Sequence, residues 1–138
     1  MKRALFICTH NSARSQMAEA LLRARHGDRF EAFSAGTEAS RVHPLAIESM
    51  AELGIDVSHQ QSTTLDTFGG ERFDYAVTVC DQAREACPFF AGAAQQLHWS
   101  LPDPSQAEGS HEERLDAFRT VRDEIAVRLA ETFGGVRA

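Results

Sequence analysis

The sequence predicts one α/β domain over residues 1–138, a four-stranded parallel sheet with helices on both faces. Three observations carry that prediction. Short apolar runs alternate with stretches whose apolar residues recur at steps of three and four. Strands alternating with helices require right-handed crossovers, which make the sheet parallel. No repeat, low-complexity tract or long linker divides the chain, and 138 residues suit a single core.

The elements follow in order. Arg3 to Cys8 is a short buried strand. Ser15 to Arg25 is a helix with Met17, Ala18, Leu21 and Leu22 on one face, closed by Gly27. Phe30 to Ser34 alternates as a second strand and ends before Gly36. Pro44 opens a helix that turns Ile47, Met50 and Leu53 inward and stops at Gly54. Residues 58–72 are polar and read as a loop. Tyr75 to Cys80 and Gln95 to Trp99 are the third and fourth strands, and Pro102 and Pro104 mark a loop. Glu112 to Phe133 is a long helix with Leu115, Phe118, Val121, Ile125 and Leu129 on one stripe.

A net charge of −6 argues against a general binder of nucleic acid or anionic membrane. The apolar run from Ala4 to Cys8 is too short for a signal peptide, and no stretch could span a bilayer. A cytoplasmic monomer is the expectation. Thiols stay reduced there, so three cysteines read as reactive, metal-binding or core residues rather than a static disulfide framework. Cys80, Cys87 and His98 have no zinc-ligand spacing, and no metal is expected.

Ligands of parallel sheets bind beyond the carboxyl ends of the strands. Cys8 ends the first predicted strand, Cys80 ends the third, and Asp103 follows the fourth. The loop "CTHNSARS" runs from an apolar strand straight into an amphipathic helix. Such a loop can wrap the backbone amides of Thr9, His10, Asn11, Ser12, Ala13 and Arg14 around one anion. Arg14 adds a planar, permanently charged fork suited to a tetrahedral oxyanion. The same field favours the thiolate of Cys8, and Ser15 is placed to donate to its sulfur. Asn11 tolerates the left-handed backbone the loop needs, whereas His10 tolerates it less well.

Cys80 and Cys87 read either as incidental core residues or as a redox pair. On one continuous helix their Cα atoms would stand about 10.5 Å apart along the axis. A disulfide needs roughly 4.4–6.8 Å. The pair could join only if the intervening segment unwound or looped out.

With these residues in place, the chain resembles the low-molecular-weight protein tyrosine phosphatases and their relatives, the thioredoxin-coupled arsenate reductases. "FICTHNSARSQMAEA", "SAGT" at 34–37 and "PDPS" at 102–105 carry the resemblance, which runs through nearly the whole chain. "SQMAE", "VTVCDQA", "CP" and "HWS" are closer to the reductases.

The resemblance implies a Rossmann-like fold and Asp103 as general acid. It implies a relay in which arsenate or a phosphate-like oxyanion docks at Cys8 and Cys80 then attacks the Cys8 sulfur. Cys87 attacks Cys80, and reduced thioredoxin restores the dithiol, with no bound cofactor. Some relatives hold a monovalent cation with residues matching Asn11, Glu19 and Ser34. Here Thr63 stands where they add an acidic residue, with Asp66 out of register, which weakens such a site. His10 replaces a common glycine.

Two other readings stay open: a phosphatase using Cys8, Arg14 and Asp103, and a non-catalytic oxyanion or arsenite sensor. Serine follows the Asp-Pro and Tyr75 is the single tyrosine, which weakens a phosphotyrosine role.

Overall fold

Strand β1 (Lys2–Cys8) lies inside the sheet, paired in parallel with β2 (Phe30–Gly36) on one side and β3 (Phe73–Thr78) on the other. Strand β4 (Ala93–His98) pairs in parallel with β3, giving the order β2-β1-β3-β4. The computed structural model describes residues 1–81 and 89–135. Ala4 to Cys8 are all buried, as an interior parallel strand covered on both faces requires.

Alternation along β1 divides the core in two. Ala4, Phe6 and Cys8 face the larger cluster. That cluster also receives the apolar stripes of α1 (Arg14–His26), α2 (Pro44–Ala51) and α3 (His111–Phe133). Leu5 and Ile7 face a smaller cluster with Ala35, Phe73 and Ala76. Leu65 and Phe68 close that side from a 3-10 turn, Leu65–Phe68. Among the described residues, the α-helices therefore share one face and the 3-10 turn covers the other.

Several details depart from the sequence reading. The helices expected on both faces lie, among the described residues, on one face, and Leu53, expected to turn inward, is exposed just past α2. The third strand spans Phe73–Thr78 rather than Tyr75–Cys80, because Phe73 joins a ring cluster with Phe33, Phe68 and Phe90. Val79 still donates to the Ile7 carbonyl at 2.9 Å, so Cys80 emerges just past the ladder. The polar loop at 58–72 contains the 3-10 turn, since Leu65 and Phe68, three apart, eclipse one another in that geometry. The other boundaries agree within two residues. The long helix starts where Ser110 and Glu113 form a reciprocal capping box.

Phe133, at the end of α3, ties the large core to the sheet. Its ring meets Phe30 at 5.0 Å, Tyr75 at 5.1 Å, Trp99 at 6.3 Å and Phe6 at 6.5 Å, all edge-on. Truncation to Phe133→Ala is expected to lose about 3–5 kcal/mol of unfolding free energy in urea titrations. A loss under about 1 kcal/mol would mean that the ring cluster does not anchor the helix.

Candidate active site

Five residues, Thr9 to Ala13, carry the chain from the end of β1 into α1. Their carbonyls are all engaged on the outer side of the loop. Thr9 O accepts from the Glu38 amide and the Thr37 hydroxyl, both at 3.0 Å. His10 O accepts from Ser40 Oγ at 3.2 Å and Ser62 Oγ at 3.1 Å. Asn11 O takes Gln16 Nε2 at 3.1 Å, Ser12 O takes the His43 amide at 2.9 Å, and Ala13 O takes the Met17 amide at 2.8 Å. With the oxygens held outward, the loop amides are left to line its concave side. Ala13, the N-cap of α1, brings no side-chain oxygen to the helix end. The first-turn donors of α1 therefore add to the same anion-binding surface.

Two backbone features make the turn possible. Asn11 adopts φ 47°, the single positive φ outside glycine among the described residues, a conformation asparagine accepts more readily than most. Gly36, at the end of β2, presses against the loop from behind. A Cβ there would stand 2.7 Å from Thr9 O, 2.8 Å from Asn11 N and 2.9 Å from Cys8 O.

Cys8 is a free, buried thiol. Its Sγ lies 2.8 Å from Ser15 Oγ, which in turn receives Asn11 Nδ2 at 2.8 Å. A cavity of about 130 Å³ opens above it, lined by Cys8, His10, Ser12, Ala13, Arg14, Ser40, Asp103 and Ser105. Arg14 is almost wholly buried. Its Nη1 donates to Leu101 O at 3.0 Å and its Nη2 stands 3.9 Å from Asp103 Oδ2. The loop carrying the aspartate thus aims the guanidinium at the pocket.

Asp103 Oδ1 accepts from the Ser105 amide at 2.9 Å and the Ser105 hydroxyl at 2.7 Å. Burial pushes this carboxyl upward, but the Ser105 hydrogen bonds, the Arg14 charge and Gln106 together hold it below its ordinary value. Asp103 is therefore ionised at neutral pH in the free protein.

The structure brings together Cys8, Arg14, Ser15 and Asp103, with residues 9–13 as their cradle. His10 stands at the rim, its Nδ1 3.1 Å from Glu38. The residues named for a cation, Asn11, Glu19 and Ser34, each make hydrogen bonds within the protein. Glu19 receives the Ser34 hydroxyl and pairs with Arg23 at 2.7 Å. Asn11 Oδ1 accepts instead from the Thr63 amide at 2.7 Å and Gln16 Nε2 at 3.0 Å. Cys80 is fully buried and disulfide-bonded, while Cys87 lies outside the described residues.

Sequence reasoning missed Gln16, Gly36, Ser40, Leu101 and Ser105. Gly36 closing a strand beside the loop was a readable sign of close backbone approach. Leu101 acts through its carbonyl, which no side-chain pattern reveals.

Comparison with known proteins adds to this geometry. Residues 3–137 match the family described as low molecular weight phosphotyrosine protein phosphatase. The chain is 44% identical over 124 residues to an arsenate reductase of Halalkalibacterium halodurans, covering 90% of this chain and 89% of that one. It is 42% identical over 126 residues to an arsenate reductase of Bacillus subtilis, covering 91% of each. A solved arsenate reductase in an oxidized state superposes with a TM-score of 0.80 at 34% identity, covering 95% of both chains. A thioredoxin-dependent arsenate reductase of Corynebacterium glutamicum gives 0.70 at 31% identity, covering 97% of this chain and 61% of that one.

The carboxyl of Asp103 is depressed when folded, so its stabilisation is full above the ordinary value of 3.8 and fades as pH falls through the lower folded value. Ser105→Ala is expected to lose about 1.5–3 kcal/mol at neutral pH, the worth of a hydrogen bond to a charged group. That deficit should shrink in acid. Urea unfolding of both proteins across the acid range checks this, and a pH-independent difference would contradict it.

Proposed function

The chain belongs to the low molecular weight phosphotyrosine protein phosphatase family, among its arsenate reductases, and on that footing we propose that it reduces arsenate to arsenite. The electrons come from Cys8, Cys80 and Cys87 in turn and are replenished by thioredoxin. The observation that carries this reading is the placing of two thiol positions on adjacent strands. Cys8 ends β1 as a free thiol beneath the pocket, and Cys80 follows β3, whose Thr78 pairs with Ile7. A phosphatase needs only the first of them.

Arsenate docks with its oxygens against the loop amides and Arg14, where phosphate would also fit. The Cys8 thiolate attacks arsenic and expels an oxygen as water. Asp103 supplies the proton for that oxygen. Because Asp103 is ionised beforehand, the proton arrives with a protonated arsenate and passes through the carboxylate to the leaving oxygen. Ser105 and Arg14 hold the carboxylate ready to receive it.

Cys80 then attacks the Cys8 sulfur. A Cys8–Cys80 disulfide forms, the sulfur–arsenic bond breaks, and arsenite leaves with two more electrons than arsenate brought. Cys87 attacks Cys80 in its turn, which frees Cys8 and leaves a Cys80–Cys87 disulfide for thioredoxin to reduce. The relay runs where thioredoxin is kept reduced, which places the protein in the cytoplasm.

The test is arsenate-dependent NADPH consumption with thioredoxin and thioredoxin reductase. Wild type should turn over many times, and Cys87→Ser should give at most one stoichiometric burst. Absence of arsenate-dependent turnover in the wild type, with phosphoester hydrolysis that survives Cys87→Ser, would replace this reading with a phosphatase.

A further inference from the structure

Gln16 lies in the first turn of α1, wholly buried, and does not line the pocket. Its Nε2 is within hydrogen-bonding distance of three oxygens: Asn11 Oδ1 at 3.0 Å, Asn11 O at 3.1 Å and Gln61 O at 2.9 Å. Its Oε1 accepts from Gln60 Nε2 at 2.7 Å. Gln60 Oε1 in turn faces Arg23 Nη1 at 3.4 Å. Arg23 is held in place by Glu19 at 2.7 Å and by the Ala32 carbonyl at 2.8 Å.

These bonds have one direction. A guanidinium can only donate, so the Gln60 oxygen faces Arg23 and its nitrogen faces Gln16. The Gln16 oxygen therefore faces Gln60, and its nitrogen faces Asn11. At Asn11, two donors, Gln16 Nε2 and the Thr63 amide, converge on Oδ1. The amide cannot flip without setting Nδ2 against both. Asn11 Nδ2 is thereby committed to Ser15 Oγ. Having accepted that N–H, the Ser15 hydroxyl turns its one hydrogen to its other neighbour, Cys8 Sγ. An ionised sulfur accepts such a bond more strongly than a neutral thiol.

We infer that Gln16 is a positioning residue for the nucleophile: by clamping both oxygens of Asn11 it fixes the direction of the hydrogen-bond chain that ends as a donor on Cys8. Its second bond, to Asn11 O, holds the left-handed turn of the loop in the same stroke. The inference concerns the nucleophile alone, so it stands or falls apart from the identity of the substrate.

The experiment uses the full chain with Cys80→Ser and Cys87→Ser, which leaves Cys8 as the sole thiol. The rate of Cys8 alkylation by iodoacetamide is followed against pH, with and without Gln16→Met, which keeps the side-chain length and removes both amide functions. Near neutral pH the variant should react at least about tenfold more slowly, the lower end of the range for a hydrogen bond to a charged group. Above about pH 10 the rates should converge, because ionisation then no longer limits the reaction.

A lowered Tm with an unchanged alkylation profile well below that Tm would overturn the inference, since Gln16 would then serve packing alone. Should Gln16→Met fail to fold, Gln60→Met, which frees Gln16 Oε1 but leaves the Gln16 amide nitrogen on Asn11, and which also releases the Gln16 carbonyl and Arg23 Nη1, carries the test. A slowing of about twofold near neutral pH supports the inference, and an unshifted profile overturns it.

Discussion

Every group at the pocket depends on the outward anchoring of five consecutive carbonyls. Residues 9–13 form too tight a turn to bond among themselves. Left to water, their peptide planes would be free to rotate. The Thr37, Glu38, Ser40, His43 and Ser62 donors, together with Gln16 and Met17, hold the oxygens outside. The amides are thereby left free for the concave side, which is the physical basis of the proposed oxyanion binding in a chain whose net charge is −6. The positive field is local and made of fixed dipoles, supplemented by one buried guanidinium.

Apart from Gln16 and Met17 of α1, the anchoring donors come from segments that precede and follow α2, so the loop is a product of tertiary packing. Gly36 is the tightest point. It joins the end of β2 to the back of the loop, and its register partner is Cys8 itself. Sheet formation and loop shape are therefore linked. The same pairing that closes the β1–β2 ladder sets the loop backbone within van der Waals reach of a residue that can have no side chain. The interior of the sheet is rigid in the usual close-packed sense, and that rigidity is passed to the nucleophile.

The electrostatics divide between two sides of the pocket. On the helix side, Asn11 donates to Ser15, whose hydroxyl turns its hydrogen toward the sulfur. On the opposite side, Leu101 and Asp103 orient Arg14, and Ser105 hydrogen-bonds the Asp103 carboxylate, helping to hold its carboxyl below the ordinary value. An ionised Asp103 beside Arg14 neutralises part of the pocket charge until a substrate arrives. In the proposed mechanism a protonated oxyanion passes its proton to the carboxylate and pairs its own negative charge with the arginine, so that binding and acid loading are one event.

Much of this was legible in the sequence. Apolar periodicity predicted the four strands, the three helices and the parallel sheet, because burial of β1 and of the helix stripes is written in residue type. Cys8, Arg14, Ser15 and Asn11 were legible because their chemistry and spacing lie within one turn and one helix start. Asp103 was legible in place from the loop after the fourth strand, while its role came from the resemblance of that Asp-Pro loop to the family's. The 3-10 turn at Leu65 was hidden because two apolar residues in a polar stretch do not make a period. The start of β3 was hidden because the choice of Phe73 over Tyr75 is made by rings from three other segments. The direction of the hydrogen bond onto Cys8 lay beyond the sequence altogether. It is decided by Gln16, Gln60, Thr63 and Arg23, which meet only when α1 packs beside the 58–64 loop. Residue type establishes which groups can donate or accept, but only the packed fold decides which way each of them turns.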